Sequence, residues 1–76
     1  MNDAFIALQH REELADTLFF AGYNNNFSKS VVSGKKIYVH QNDDFCLTIA
    51  GRSITIGDVK FKNVRDAKRH ICERYL

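Results

Sequence analysis

Two cysteines and three histidines are the side chains of this chain best suited to act as nucleophiles, bases or metal ligands. The strand pattern described below places His40 opposite Cys46, and an adjacent imidazole is what activates a thiol as a nucleophile. This pair would lie on an open sheet face with no pocket around it, so we expect no catalytic role for it. His70 and Cys72 are two apart on a predicted helix, where their side chains diverge and cannot share an ion.

The common catalytic signatures are missing from the sequence, which has no G-x-S-x-G, P-loop, H-E-x-x-H, G-x-G-x-x-G or C-x-x-C motif. We therefore predict that the chain is not an enzyme and needs neither a metal nor another cofactor. It has no apolar run of about 18 residues, so no membrane span is expected. No secretory signal is evident, and two free thiols are typical of a reducing compartment, so we expect a cytoplasmic protein.

Charge is distributed unevenly along the chain, although the net formal charge is only +2. Carboxylates collect in the first predicted helix and in a later loop, and an acidic face of this kind would mimic nucleic acid or pair with a basic groove. The candidate partner-binding residues of this acidic face are Glu12, Glu13, Asp16, Asp43 and Asp44.

Basic residues collect near the C-terminal end, where they would bind phosphates with salt-sensitive, sequence-independent affinity. These alternative nucleic-acid-binding residues are Lys60, Lys62, Arg65, Lys68 and Arg69. A third candidate is the open face of the predicted sheet, where Tyr38, His40 and Thr55, flanked by Arg52, would stack bases or contact a protein.

The elements that position these residues follow from hydrophobic periodicity. Between residues 36 and 57, apolar and polar residues alternate with the period of two that is typical of strands with one buried face. A loop at 42–44 keeps the apolar residues of neighbouring strands on the same buried face, because it pairs Val39 with Leu47 and Ile37 with Ile49. A Gly51-Arg52 turn then pairs Ile49 with Ile54. An edge strand is predicted around residues 27–32.

One predicted helix precedes these strands in the sequence and another follows them. The first is predicted to run from a cap at Asn2 or Asp3 to about Ala21, with Gly22 as its stop. The last is predicted to begin after Asn63 and to turn an apolar stripe towards the sheet. The prediction is one domain, residues 1–76, with an α+β fold. It is a two-layer sandwich in which a three- or four-stranded antiparallel meander lies between two helices in sequence and both helices cover one face.

The helix–strands–helix order, with basic residues opening the last helix, resembles a double-stranded RNA-binding domain. The segment Asn63-Val64-Arg65-Asp66-Ala67-Lys68 looks like the basic, alanine-containing start of that family's second helix. The family's glycine-, proline- and histidine-containing loop is missing here, and the first helix, which that family uses to touch a minor groove, is acidic.

A compact chain without linkers or motifs is also similar, in size and texture, to small phage-encoded inhibitors such as anti-CRISPR proteins. The main prediction is a non-catalytic binding or regulatory protein, monomeric or homodimeric, that occupies the surface of a protein or nucleoprotein partner through the acidic face. The alternative prediction is a nucleic-acid-binding domain that uses the basic C-terminal helix.

Overall fold

The computed structural model describes residues 3–24 and 26–75. In chain order its elements are α1 Asp3–Phe20, β1 Ser28–Val32, β2 Lys35–Gln41, β3 Cys46–Ala50, β4 Ser53–Ile56, β5 Val59–Phe61 and α2 Val64–Arg74. The five strands form one antiparallel sheet in the order β1-β2-β3-β4-β5. This confirms the α+β class and corrects the strand number, which was predicted as three or four.

Helix α1 ends where the glycine was predicted to stop it. Gly22 has a φ of +92°, which L-residues with a side chain rarely adopt. The amide of Tyr23 donates to the carbonyl oxygen of Leu18 at 2.9 Å, and the amide of Gly22 donates to the carbonyl oxygen of Phe19 at 3.1 Å. These two bonds are a Schellman motif, which satisfies the last carbonyls of the helix. The predicted cap at Asn2 or Asp3 falls on side chains outside those that the structure describes.

Helix α2 begins at the predicted cap. The side-chain oxygen of Asn63 accepts from the amide of Asp66 at 2.8 Å, which satisfies one of the unpaired donors of the first turn. Asp66 also lies in the first turn, where its negative charge is favoured by the helix dipole. The predicted stripe is confirmed, because Ala67 and Ile71 are buried.

One buried cluster joins the helices to the sheet. Helix α1 contacts α2, β2 and β3, and α2 contacts β4 and β5. Each large aliphatic side chain in such a cluster contributes about 1.5–3 kcal/mol relative to exposure. The cluster consists of Ala7, Leu14 and Leu18 of α1, Tyr38 of β2, Phe45 of the following loop, Leu47 and Ile49 of β3, Ile54 and Ile56 of β4, and Ala67 and Ile71 of α2.

The register between β2 and β3 differs from the prediction by one residue. Tyr38 pairs with Ile49, whereas the prediction paired Ile37 with Ile49 and Val39 with Leu47. The predicted pairing of β3 with β4 is correct, because Ile49 does face Ile54. Only β2 is therefore misplaced.

This one-residue shift turns β2 over, because alternate side chains of a strand point to opposite faces. Tyr38 and His40 lie on the core side and are 6% and 1% exposed. Ile37 and Val39 lie on the opposite side and are half-buried.

The loop between β2 and β3 causes the shift, since it has four residues, Asn42 to Phe45, rather than three. The side-chain oxygen of Asn42 accepts from the amides of Asp44 and Phe45 at 2.8 and 2.9 Å. The amide of Asn42 also donates to the carbonyl of Phe45 at 3.1 Å. These bonds close the longer loop and place Gln41 opposite Cys46.

Candidate functional site

The solvent side of α1 carries large apolar side chains next to carboxylates. Phe5, Phe19 and Phe20 are 55%, 68% and 81% exposed, and the polar side chains between them are exposed as well. At about 100° per residue, the whole set falls within an arc of about 120°. We call this set the outer face of α1; it comprises Phe5, Gln9, Glu12, Glu13, Asp16, Phe19 and Phe20.

The opposite side of the helix fixes this face in place. Ala7, Leu14 and Leu18 are fully buried against the sheet and α2, so the helix cannot roll without removing them from the core. The Schellman motif at Gly22 ends the helix directly after Phe20. The two adjacent phenylalanines are thus held in the last turn of a well-anchored helix.

The outer face is acidic, with Glu12, Glu13 and Asp16 all exposed. The basic side chains of α1, His10 and Arg11, lie away from it. Arg11 is half-buried, and its guanidinium carbon is 5.2 Å from the ring centroid of Tyr38. Arg11 therefore packs its stem against the core and binds an aromatic face, as long basic side chains on an apolar stripe commonly do.

The two loop carboxylates of the predicted acidic set are exposed in the β2–β3 loop. Asp44 accepts a hydrogen bond from the hydroxyl of Tyr23, just beyond the end of α1. The pKa of the Tyr23 phenol is raised to about 12, mainly by this hydrogen bond. Tyr23 also packs edge-on against Phe45 with ring centroids 5.4 Å apart. The structure thus brings Asp44 to the C-terminal end of α1, with Asp43 beside it in sequence.

A shallow groove borders the acidic part of the outer face. It lies between α1 and the chain that leads into β1, and its volume is about 280 Å³. Its lining residues are Arg11, Glu12, Ala15, Asn26 and Phe27. Glu12 therefore belongs both to the outer face and to a concave surface beside it.

The structure separates Lys60 from the three residues of the predicted basic set that lie on α2. Arg65 and Arg69 are exposed on α2, and Lys68 beside them is half-buried. Lys60 lies in β5 opposite Thr55, so it projects from the face of the sheet opposite to the core. The ring of Phe61, its neighbour in sequence, packs against His70 of α2 on the core side, with centroids 5.1 Å apart.

The predicted open sheet face is wrong for two of its four residues, because Tyr38 and His40 are buried on the core side. Thr55 does lie on the open face, opposite Thr48, and Arg52 is exposed in the β3–β4 turn. The aromatic surface expected for base stacking is therefore not present there.

His40 and Cys46 lie on opposite faces of the sheet and are not brought together. His40 Nε2 lies 2.8 Å from the carbonyl oxygen of Asn24, to which it donates, and the side-chain amide of Asn42 lies 3.4 Å from His40 Nδ1. Both ring nitrogens are thus engaged in the interior. Cys46 pairs with Gln41 on the other face of the sheet and is an exposed free thiol.

No group of three or more His, Cys, Asp or Glu side chains that would suit a metal ion occurs within residues 3–24 and 26–75. Over the same residues, neither helix has the length and apolar character needed to cross a membrane.

Sequence reasoning finds only part of the aromatic set of the outer face. Helical periodicity predicts Phe20 on the polar side of α1, where it lies, and Phe19 on the apolar side, whereas Phe19 is mostly exposed. Phe5 is not distinguished by the pattern. The available signal was angular: Phe5 and Phe19 project into the same arc as Glu12 and Asp16.

No protein-family model, no curated protein and no solved structure matches this chain. Function is therefore inferred from the surfaces of the molecule itself.

Proposed function

We propose that this chain is a small non-catalytic protein that binds a basic surface of a protein or nucleoprotein partner through the outer face of α1. The observation that carries the proposal is the exposure of Phe5, Phe19 and Phe20 on the same helix face as an acidic cluster. Aromatic side chains are enriched in protein interfaces and among their strongest contributors.

Phe20 contributes little to the stability of the fold. Phe20 is 81% exposed, so its side chain gains little of the free energy that burial of a phenylalanine gives, about 1.5–3 kcal/mol. Phe19 and Phe20 are adjacent and form one exposed apolar pair at the C-terminal end of α1, and Phe5 lies about 21 Å from them on the same face. A paired exposure of this kind marks an interaction site.

The carboxylates of the outer face do not favour the helix either. Glu12 and Asp16 are four residues apart, and Glu13 and Asp16 are three apart. Like charges at these spacings destabilise a helix by about 0.2–0.5 kcal/mol per pair. The cluster is explained by attraction to a positively charged partner, which speeds association and excludes acidic competitors.

The proposal takes both helices to lie on the same side of the sheet. The single buried cluster that contains side chains of α1, α2 and three strands supports this arrangement. Helix α1 would then present its outer face as a convex ridge. The groove beside Glu12 offers space for a basic side chain of the partner.

The test is affinity purification of the tagged chain from its native cells, with matched variants. We expect Phe19→Ser/Phe20→Ser to weaken capture of the partner by about thirtyfold per residue, which corresponds to about 2 kcal/mol for each aromatic anchor. Glu12→Lys/Asp16→Lys should also weaken it and make the remaining binding less sensitive to salt.

The matched control is Arg65→Glu/Arg69→Glu, which reverses two exposed charges on the other helix. This variant should bind the partner like the unmodified chain. The free energy of unfolding of every variant should lie within about 0.5 kcal/mol of that of the unmodified chain, as is normal for surface substitutions. Loss of binding only in the α2 variant would contradict the proposal. A salt-dependent gel shift with duplex or single-stranded nucleic acid that is lost in the same variant would favour the nucleic-acid alternative.

A further inference from the structure

Within residues 3–24 and 26–75, nothing covers either face or the outer edge of the first strand of the sheet. All five residues of β1 are exposed, and β1 contacts neither helix. It pairs with β2 on one edge only, because it stands at the end of the strand order. Val31 and Val32 are 64% and 53% exposed there. An uncovered edge strand with apolar side chains is a template for a further strand.

The turn that follows β1 shows which backbone groups face the free edge. Ser33 and Gly34 have φ values of +53° and +77°, which is the conformation of a two-residue type I′ hairpin turn. Such a turn makes its flanking residues, here Val32 and Lys35, a hydrogen-bonded pair.

Hydrogen-bonded and non-hydrogen-bonded pairs alternate along an antiparallel ladder. Since the backbones of Val32 and Lys35 are hydrogen-bonded to each other, the backbone of Ser30 is also hydrogen-bonded to β2. The backbones of Val31 and Lys29, at the alternate positions, are not. The N–H and C=O groups of Lys29 and Val31 therefore point away from β2, towards solvent. Two donors and two acceptors are thus available on this edge to a new strand.

The charge of the hairpin selects the occupant. The hairpin from Ser28 to Lys36 contains Lys29, Lys35 and Lys36 and no carboxylate. Lys35 and Lys36 also line a groove of about 650 Å³ that reaches across to the β3–β4 turn. We propose that the free edge of β1 binds an extended, acidic segment of a partner protein, which adds to the sheet as a sixth strand.

The neighbouring side chains specify the pattern of that segment. In an antiparallel strand, residues directly opposite each other share a face and interact. The segment needs apolar residues opposite Val31 and Val32, a carboxylate opposite Lys29, and small polar residues opposite the serines. From its N-terminal end the pattern is apolar, apolar, polar, acidic, polar. Acidic residues before it would be attracted by Lys35 and Lys36, which lie one strand further in.

A second copy of this chain fits the edge less well. Self-pairing centred on Ser30 is geometrically allowed, but it would place Lys29 of each copy opposite Val31 of the other, and neither hairpin contains a carboxylate to pair with that lysine. Each lysine would thus face an apolar side chain across the new edge rather than an opposite charge. An acidic strand would instead bring carboxylates towards the lysines of the hairpin.

The test uses a blocked peptide of sequence Glu-Glu-Val-Val-Thr-Glu-Thr, and a control peptide with lysine at each glutamate. We expect the acidic peptide to shift the backbone amide resonances of Lys29 and Val31 in an NMR titration and to slow their hydrogen exchange. The amide of Ser30 already faces β2 and should change least. Binding should weaken as salt is raised, and the lysine peptide should not bind.

Two variants separate the backbone from the charge. Val31→Pro removes an outward N–H without removing a bond to β2, a position at which edge strands tolerate proline, and it should abolish binding. Lys29→Glu leaves the backbone unchanged and should weaken binding about tenfold. Protection of the Ser30 amide reports that the hairpin is intact in each variant.

The proposal is overturned if the acidic peptide binds no better than the lysine peptide. It is also overturned if the shifts fall outside β1 in the unmodified chain, or if the free protein is a dimer that Val31→Pro dissociates. The last outcome would assign the edge to a second copy of the chain.

Discussion

At the scale of single residues, His40 can lie in the interior because both of its ring nitrogens have polar partners. His40 is 1% exposed, and both of its ring nitrogens lie near polar groups of Asn24 and Asn42. Tyr38 is covered by the guanidinium of Arg11. A buried polar group is costly only when it lacks a partner, so β2 can turn His40 inward. The ring of Tyr38 packs in the buried cluster, and Ile37 and Val39 are left half-buried.

The hydrogen bond from Tyr23 to Asp44 gives a pH-dependent prediction. Since the pKa of Tyr23 is raised to about 12, the folded state holds this proton more tightly than the unfolded state does. Its stabilising effect is complete below pH about 10, the unperturbed value, and is lost as the pH rises towards about 12. In an ultraviolet titration, Tyr23→Phe should remove one phenol transition, and Asp44→Asn should move that same transition to lower pH. An unchanged titration in Asp44→Asn would show that the bond does not hold the proton.

His10 gives a prediction at acid pH. Its Nδ1 atom is buried, and no hydrogen-bond partner for it occurs among the described residues. Burial lowers the pKa of His10, although the nearby Glu13 carboxylate acts in the opposite direction. The unfolded state therefore takes up the proton more readily, and stability falls as the pH drops below about 6.5.

Urea unfolding of His10→Gln on either side of this pH measures the effect. The variant should lose less stability on acidification than the unmodified chain, with His70→Gln as the control that keeps the His10 site. Equal acid sensitivity in the unmodified chain and in His10→Gln would refute the assignment.

At the scale of elements, the structure was predictable where local chemistry and hydrophobic pattern agree. Helix α2 has a capping asparagine followed by an apolar stripe, and both signals place it correctly. Strands β3 and β4 alternate cleanly around a two-residue turn, so their register followed from consistency of the buried face.

Strand β2 was misplaced because its two faces are both partly apolar. The choice of face depended on the length of the next loop, and the side chain of Asn42 closes four residues rather than three. Strand β5 was not predicted as a strand because Val59–Phe61 has only three residues, too few to show a period.

Helix α1 shows why the acidic half of the candidate site was predictable and the aromatic half was not. Exposed carboxylates are the expected state of Glu12 and Asp16, whereas an exposed phenylalanine contradicts the usual burial of its type. Phe19 lies at the margin of the apolar stripe, and only the packed position of the helix shows that it faces solvent. Periodicity alone could not separate it from the core.

At the scale of the whole molecule, charge and exposure divide the surface. The first 22 residues carry a balance of −3, and residues 60–76 carry +4. The outer face of α1 combines negative charge with exposed aromatic rings. Helix α2 carries basic residues, but none of the exposed large hydrophobic side chains lies in it. The hairpin around β1 is a third region, basic and with a free backbone edge. The two surfaces that we propose as protein contacts therefore differ in chemistry.

The central claim, that the outer face of α1 is the binding surface, is tested most directly by site-specific photo-crosslinking in cells. A photoreactive phenylalanine analogue replaces Phe20 in one version of the chain, and Arg69 or Thr55 in two control versions. We predict that the analogue at position 20 crosslinks the partner and that the analogues on α2 and on the open sheet face do not. Crosslinks from position 69 or 55 with none from position 20 would contradict the account.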